Sequence, residues 1–246
     1  MKNDIFKYPD TNSSRAKIDY LNYKFENQKI AIIGLGGTGS YILDFVSKTP
    51  VKEIHLFDGD TFQLHNAFRA PGATPTDKFD ELDRLTKVGY YFEIYSNIHG
   101  GIIPHHKYVT KENIENLSGF DLVFISVDSN TARSEIINNL LSMNIAFIDV
   151  GLGVKIVDDH LIGTVRVTAG TNLKNDHLAD RIGSMENEEE NEYSTNIQIA
   201  ELNCLNAVLA VIKWKKINGF YQDLKEEHNS LFFINTNKLI NEDFAA

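Results

Sequence analysis

Short apolar runs separated by longer amphipathic stretches set the pattern of the first 150 positions. Ile30-Ala-Ile-Ile33, Ile54-His-Leu-Phe57, Asp121-Leu-Val-Phe-Ile-Ser126 and Ile145 to Val150 are brief and rich in β-branched or aromatic residues. Such runs predict strands buried on both faces. The intervening segments have helical periodicity. Helices are expected from Thr38 or Ser40 to about Lys48, over Lys78–Ile98 and over Ala132–Ser142, with a short one at Asn113–Leu117 and a further strand at His106–Val109. Ahead of them lies a polar segment, 1–28, with a helix predicted from Ser13 or Ser14 as N-cap through Lys24. Strands and helices that alternate in this way predict a doubly wound, Rossmann-like α/β sheet, mostly parallel.

The pattern changes after Val150. Gly151–Val157 and Leu161–Thr168 flank Asp158-Asp159-His160 and predict a β-hairpin, which adds an antiparallel C-terminal part to the sheet. Residues 171–195 are polar and include the acidic run Met185–Glu192, which has the composition of a solvated loop. Ile197–Ile217 regains helical spacing with Gly219 as its stop, and Leu231-Phe-Phe-Ile234 predicts a last strand. With no internal repeat, one domain over 1–246 is expected: a helical 1–28, a nucleotide-binding half 29–150 and a C-terminal half 151–246.

Composition narrows the function. A chain of 246 residues with 42% hydrophobic content can bury a sizeable core. Its 24 basic and 34 acidic residues give a formal charge of −10, which argues against a nucleic-acid surface. No window approaches the roughly 18 apolar residues of a membrane span, and the N-terminus lacks a signal peptide's apolar stretch. A single cysteine, Cys204, rules out an internal disulfide or a cysteine-built zinc cage and fits a reducing compartment. A soluble cytoplasmic protein is expected, with neither nucleic-acid nor membrane partner.

The chemistry concentrates where the first strand ends. Gly34, Gly36, Gly37 and Gly39, with Thr38 and Ser40, remove bulk where strand turns into helix, so that backbone N–H groups and the positive helix end face an incoming phosphate. Asp58 ends the second strand about 20 residues further on, the place where a carboxylate accepts ribose hydroxyls. Asp60 is a second acid nearby, with a turn cap as its plainer role. Glycine loops also serve tight packing. Here the order strand, glycines, helix, strand, acid favours a nucleotide.

The glycine loop, Asp58-Gly-Asp60, Asn66, Arg69 and Val127-Asp128-Ser129 resemble, in order and spacing, the ThiF/MoeB/HesA family of adenylyltransferases related to ubiquitin-activating enzymes. The resemblance covers roughly residues 13–217. It implies an ATP-dependent reaction in which the C-terminal carboxylate of a ubiquitin-like or sulfur-carrier protein, ending in glycine, is converted to an acyl-adenylate with release of pyrophosphate. By resemblance Asp58 holds the ribose, Asn66 and Arg69 contact the phosphates, and Asp128 coordinates Mg2+, although Asp128 also stands where a helix N-cap would. Lys78 is the best match to the phosphate lysine. Lys87 is the alternative, with a solvated helix position as its plainer reading. Arg15 matches an arginine that family members insert into a partner subunit, which implies a homodimer.

Departures sharpen the expectation. The paired Cys-x-x-Cys zinc motifs of many family members are missing, so no zinc is expected, and the crossover segment 171–195 has no cysteine to form a thioester. Cys204 falls in an apolar helix, where a thiol acts as a small hydrophobe. His105 and His106 alternate faces on a strand and cannot readily share a metal. The expectation is adenylation without a covalent enzyme intermediate. A nicotinamide-dependent oxidoreductase would explain the loop and Asp58 but not Asn66, Arg69 or Asp128, and a non-catalytic scaffold of the same family remains open.

Overall fold

The computed structural model describes residues 5–81, 85–182 and 197–245. Eight strands among them form one mixed sheet: β1 Lys29–Ile33, β2 Glu53–Phe57, β3 Ile102–His105, β4 Leu122–Ile125, β5 Phe147–Val157, β6 His160–Gly170, β7 Glu227–Phe233 and β8 Lys238–Phe244. Their spatial order is β3-β2-β1-β4-β5-β6-β7-β8. Strands β3 to β5 through β2, β1 and β4 pair in parallel, and β5 to β8 pair antiparallel. The α/β class with an antiparallel C-terminal extension is therefore the observed architecture.

Alternate residues of the parallel strands build two separate cores, one on each face. Ile30, Ile32, Ile54, Leu56 and Phe124 pack with helices α2 (Gly37–Val46), α4 (Lys87–Tyr95) and α7 (Ala200–Ile217), whose Trp214 is fully buried between Phe25 and Phe124. Ala31, Ile33, Val123, Ile125 and Phe147 pack instead with α5 (Asn130–Ser142). This period of two explains why the runs are apolar throughout. Among the described residues the remaining α-helices are short: α1 Thr11–Ala16, α3 Leu64–Ala67 and α6 Leu178–Ile182.

Several expected boundaries are corrected. The single N-terminal helix is instead α1, capped by Asp10 through Ser13 N–H at 3.0 Å and ended by left-handed Lys17, followed by a 3-10 stretch, Asp19–Lys24. The long helix over Lys78–Ile98 divides into a 3-10 stretch, Thr76–Glu81, and α4, with residues 82–84 outside the described set. Its cause is visible: Leu85 and Thr86 run extended against Thr61 and Phe62, with Phe62 N–H donating to Leu85 C=O at 2.7 Å, and Thr86 then caps α4. The third strand is β3 rather than His106–Val109. Pro104 is accommodated because β3 is an edge strand. Strand β5 continues without a break from the parallel core into the hairpin, and the expected last strand is the inner part of a β7–β8 hairpin. The acidic run Met185–Glu192 lies outside the described residues. No described helix is long and apolar enough to cross a membrane.

Buried histidines make the fold acid-sensitive. His99 is fully enclosed, its Nδ1 accepting Gly101 N–H at 3.1 Å, and burial pulls its pKa down to about 4. His105, stacked on Phe57, is likewise lowered to about 4, chiefly by burial. Below the ordinary histidine value of about 6.5 the unfolded chain takes up protons that these rings refuse, so stability falls with falling pH between about 6.5 and 4. For His99 the loss is on the order of 3 kcal/mol across that window. Thermal unfolding at pH 7 and pH 5 should show it, with a flatter slope in His99→Gln.

Candidate active site

The glycine loop joins β1 to α2 at the C-terminal ends of the parallel strands. Gly34 has φ +88° and a Cβ there would lie 2.3 Å from Ser126 O, so both backbone conformation and space demand glycine. At Gly37 a Cβ would meet the Asn203 amide at 2.0 Å, and at Gly39 the Gly34 carbonyl at 1.9 Å. These three glycines serve close packing. Gly36 differs, because a Cβ there would meet nothing within 4 Å. It is the N-cap of α2, and no side chain caps the first-turn amides. An open approach to uncapped N–H groups at a helix start suits an anion. Gly34→Ala should therefore unfold or strongly destabilise the protein. Gly36→Val should leave thermal stability nearly unchanged and weaken the binding of any phosphate-bearing ligand at this helix start roughly tenfold or more in calorimetry.

Asp58, at the end of β2, is buried and fixed by two backbone donors: Leu35 N–H to Oδ2 at 2.7 Å and Asp60 N–H to Oδ1 at 2.8 Å. Its remaining lone pairs are the acceptors a pair of hydroxyls would need. Lys87 reaches this pair of acids, with Nζ 2.6 Å from Asp60 Oδ2 and 3.6 Å from Asp58 Oδ2. Only 8% of Lys87 is exposed, so the expectation of a solvated helix residue is overturned. The Thr61–Thr86 pairing brings the start of α4 to the strand end, which the sequence spacing did not reveal. Tyr108 covers Gly59 and donates its phenol proton to Asp60. Burial raises the Asp60 carboxyl, and hydrogen bonds from Lys87 and Tyr108 outweigh it and hold the group below its ordinary value. The same bond, with burial, pushes Tyr108 up to about 12.

Asn66 and Arg69 arrive on α3 and the residues after it. The Gln63 N–H needs an acceptor, and Asn66 Oδ1 supplies it at 2.8 Å. Nδ2 therefore points away, and it is buried with no partner among the described residues. The Nε of half-buried Arg69 is in the same condition. Burial lowers the Arg69 guanidinium from its ordinary value, opposed by Tyr91 and Asp128. Asn203 of α7 joins the two halves of the site: its Oδ1 accepts Thr38 Oγ1–H at 3.1 Å and its Nδ2 donates to Arg69 C=O at 3.4 Å. Ser40 bonds back to the Gly37 carbonyl at 2.8 Å and also to Tyr91, beside Arg69.

Asp128 follows β4, exposed, and close enough to influence both Arg69 and Tyr108. It is not the cap of α5. Ser129 is, through Ala132 N–H to Oγ at 3.3 Å. Among the described residues the Asp128 carboxylate has neither hydrogen bond nor ion pair. The structure thus brings together the glycine loop, Asp58, Asp60, Asn66, Arg69 and Asp128. Two expected residues lie apart. Lys78 pairs with Glu93 at 2.6 Å, beside a separate cavity of about 460 Å3. Arg15 is exposed on α1, which lines a cavity with Thr49, Pro50 and Ile98 at the opposite end of the sheet. Sequence reasoning placed Lys87 second to Lys78 and missed Tyr108 and Asn203. Only Asn203 left a trace, as a polar residue inside an apolar helix. Cys204, one position on, is half-buried, and burial, with Asp44 nearby, raises its thiol from the ordinary value.

A parallel sheet with an antiparallel extension and a glycine turn at the end of its first strand defines a Rossmann-like α/β protein. The chain belongs to the ThiF family, whose model matches residues 19–232. Similar solved structures include Escherichia coli MccB with MccA-N7isoASN, at TM-score 0.72 and 14% identity over 99% of this chain and 74% of that one. PaaA gives 0.68 and 16% over 96% and 70%. E. coli TcdA, a tRNA N6-threonylcarbamoyladenosine dehydratase, gives 0.62 and 18% over 85% and 92%. MccB has also been crystallised with ATP and with AMPCPP plus MccA. No curated protein sequence matches the chain.

Proposed function

We propose that this protein binds ATP and adenylates the C-terminal carboxylate of a protein or peptide. The observation that carries this reading is the pair of buried donors without hydrogen-bond partners among the described residues, Asn66 Nδ2 and Arg69 Nε, with Asn203 tying Arg69 to the open, uncapped start of α2. Buried polar groups are almost always satisfied, so an orphaned pair beside a desolvated cation calls for an anionic ligand. In this reading the triphosphate lies over Gly36, and Asp58 takes the ribose. Lys87, rather than Lys78, is the phosphate lysine, released from Asp60 as phosphate oxygens replace the carboxylate.

The substrate carboxylate oxygen forms a bond to the α-phosphorus while the bond from that phosphorus to the bridging oxygen breaks, giving acyl-adenylate and pyrophosphate. Negative charge grows on the non-bridging and leaving oxygens, where Arg69, Lys87 and the α2 amides stabilise it. Asp128 fits Mg2+, since a single unpaired carboxylate beside phosphates is the usual protein share of such a site. Bound there, Mg2+ would neutralise phosphate charge. A raised, half-buried thiol supports the absence of a thioester step at Cys204. A ubiquitin-like or sulfur-carrier protein ending in glycine is the proposed partner. The MccA contained in MccB structures supports a peptide tail as the reacting end. Arg15, far from its own site, acts in a homodimer on the partner's nucleotide.

ATP–pyrophosphate exchange that depends on a carrier encoded by a neighbouring gene, and on its terminal carboxylate, is the expected result. ATP binding without exchange for every such carrier would favour a scaffold. Preference for NAD over ATP would reject the reading altogether.

A further inference from the structure

A buried charge cluster lies directly beneath Asp128. Arg133, on the first turns of α5, spreads its guanidinium over three acceptors: Nε to Asp149 Oδ1 at 3.0 Å, Nη1 to Asn130 Oδ1 at 2.7 Å, and Nη2 to the Val127 carbonyl. Its backbone N–H donates to Ser129 C=O at 3.0 Å. Val127 precedes Asp128 and Asn130 follows it by two, so one side chain grips the turn on both sides of the acid. Asp149, on β5 and fully buried, is held from its other oxygen by Arg166 Nη2 at 2.6 Å. Arg166 in turn donates to Thr168 Oγ1 at 2.6 Å, which donates to Asn229 Oδ1 at 2.8 Å on β7.

A fully buried carboxylate between two nearly buried guanidiniums costs considerable desolvation, and such ion clusters stabilise little by comparison with apolar packing. What they supply is fixed geometry, because a guanidinium fork holds planar acceptors in one arrangement. Among the described residues the Asp128 carboxylate has no hydrogen bond or ion pair to fix it, only longer-range attraction to Arg69. Its place depends on the backbone turn, and the turn depends on Arg133.

From this we infer that Arg133, backed by Asp149, is a positioning residue that holds the Val127–Asn130 turn so that Asp128 is set for a divalent cation. The inference rests on the metal role proposed above for Asp128 and goes beyond it to the residues that aim it. Divalent ions need ligands held to within a few tenths of an ångström, so a loosened turn should show first as a raised metal requirement.

The test is the Mg2+ dependence of ATP binding, read by calorimetry, together with that of pyrophosphate exchange. Arg133→Lys keeps a cation for Asp149 but cannot reach three acceptors. Its half-saturating Mg2+ concentration should rise roughly tenfold, with nucleotide affinity at saturating Mg2+ within about twofold of wild type. Asn130→Ala removes one acceptor and leaves the buried ion cluster intact, so it reads the same turn even if Arg133→Lys does not fold. A rise of roughly threefold is expected. Folded variants with unchanged Mg2+ dependence would overturn the inference, as would wild-type ATP binding indifferent to Mg2+. A failure of carrier-dependent exchange alone would instead count against the proposed reaction, since the calorimetric readout does not require turnover.

Discussion

Lys87→Ala should lower carrier-dependent pyrophosphate exchange by roughly two orders of magnitude, about 2.7 kcal/mol of transition-state stabilisation, while Lys78→Ala stays within about twofold of wild type. The asymmetry follows from where each amine sits. Lys87 Nζ is sheltered and shared between Asp60 at 2.6 Å and Asp58 at 3.6 Å, next to the strand end where the nucleotide is proposed to bind. A cation already desolvated loses little more solvent when phosphate replaces carboxylate, so its full charge acts on the developing anion. Lys78 faces an exposed Glu93, and surface ion pairs of that kind contribute about 1 kcal/mol or less. Removing Lys87 also leaves Asp58 beside Asp60 without their cation, so a stability loss of about 1–3 kcal/mol should accompany the kinetic one. Circular dichroism and initial rates at saturating ATP separate the two effects. Greater loss in Lys78→Ala would return the phosphate role to that residue.

The second large effect concerns Asp128. Asp128→Asn is isosteric and removes only the charge, at an exposed position whose carboxylate binds no described neighbour. Thermal stability should change by no more than about 0.5 kcal/mol, as for other surface substitutions. Exchange should fall by roughly two to three orders of magnitude at ordinary Mg2+, and partial recovery should appear as Mg2+ is raised. Full activity in the folded variant would remove the metal role. Arg69 offers an internal comparison, since Asp128 is one of the two groups that support its charge against burial. A small drop in ATP affinity independent of Mg2+ should therefore accompany the metal effect.

Particular elements show what a reader of the chain can and cannot extract. The strand Ile30–Ile33 and its glycine turn were legible because they are local: buried β-branched runs and missing Cβ atoms leave their mark in neighbouring letters. Yet the four glycines are not equivalent. That Gly36 alone opens onto free space depends on Asn203 and Ser126, which come from α7 and the end of β4. The α4 start was misplaced for a similar reason. Helix-compatible residues run through 78–98, but Thr61 and Phe62, more than twenty positions upstream, pair with Leu85 and Thr86 and hold them extended. The β7–β8 hairpin was half seen, because Glu227, His228 and Asn229 are polar residues that the antiparallel extension buries, and polar letters do not announce a core strand.

The sequence by itself determined the α/β class, the glycine turn, the acid at the end of β2, and the order Asp58, Asn66, Arg69, Asp128 that marks the ThiF family. Each of these is carried by short-range pattern or by residue type at fixed spacing. Tertiary structure alone decided which lysine faces the paired acids, that Asn66 Nδ2 and Arg69 Nε are buried without hydrogen-bond partners among the described residues, and that Arg133 and Asp149 brace the Asp128 turn. These depend on contacts between residues far apart in the chain. Their energies come from burial and charge pairing, which exist only once the sheet has closed around them.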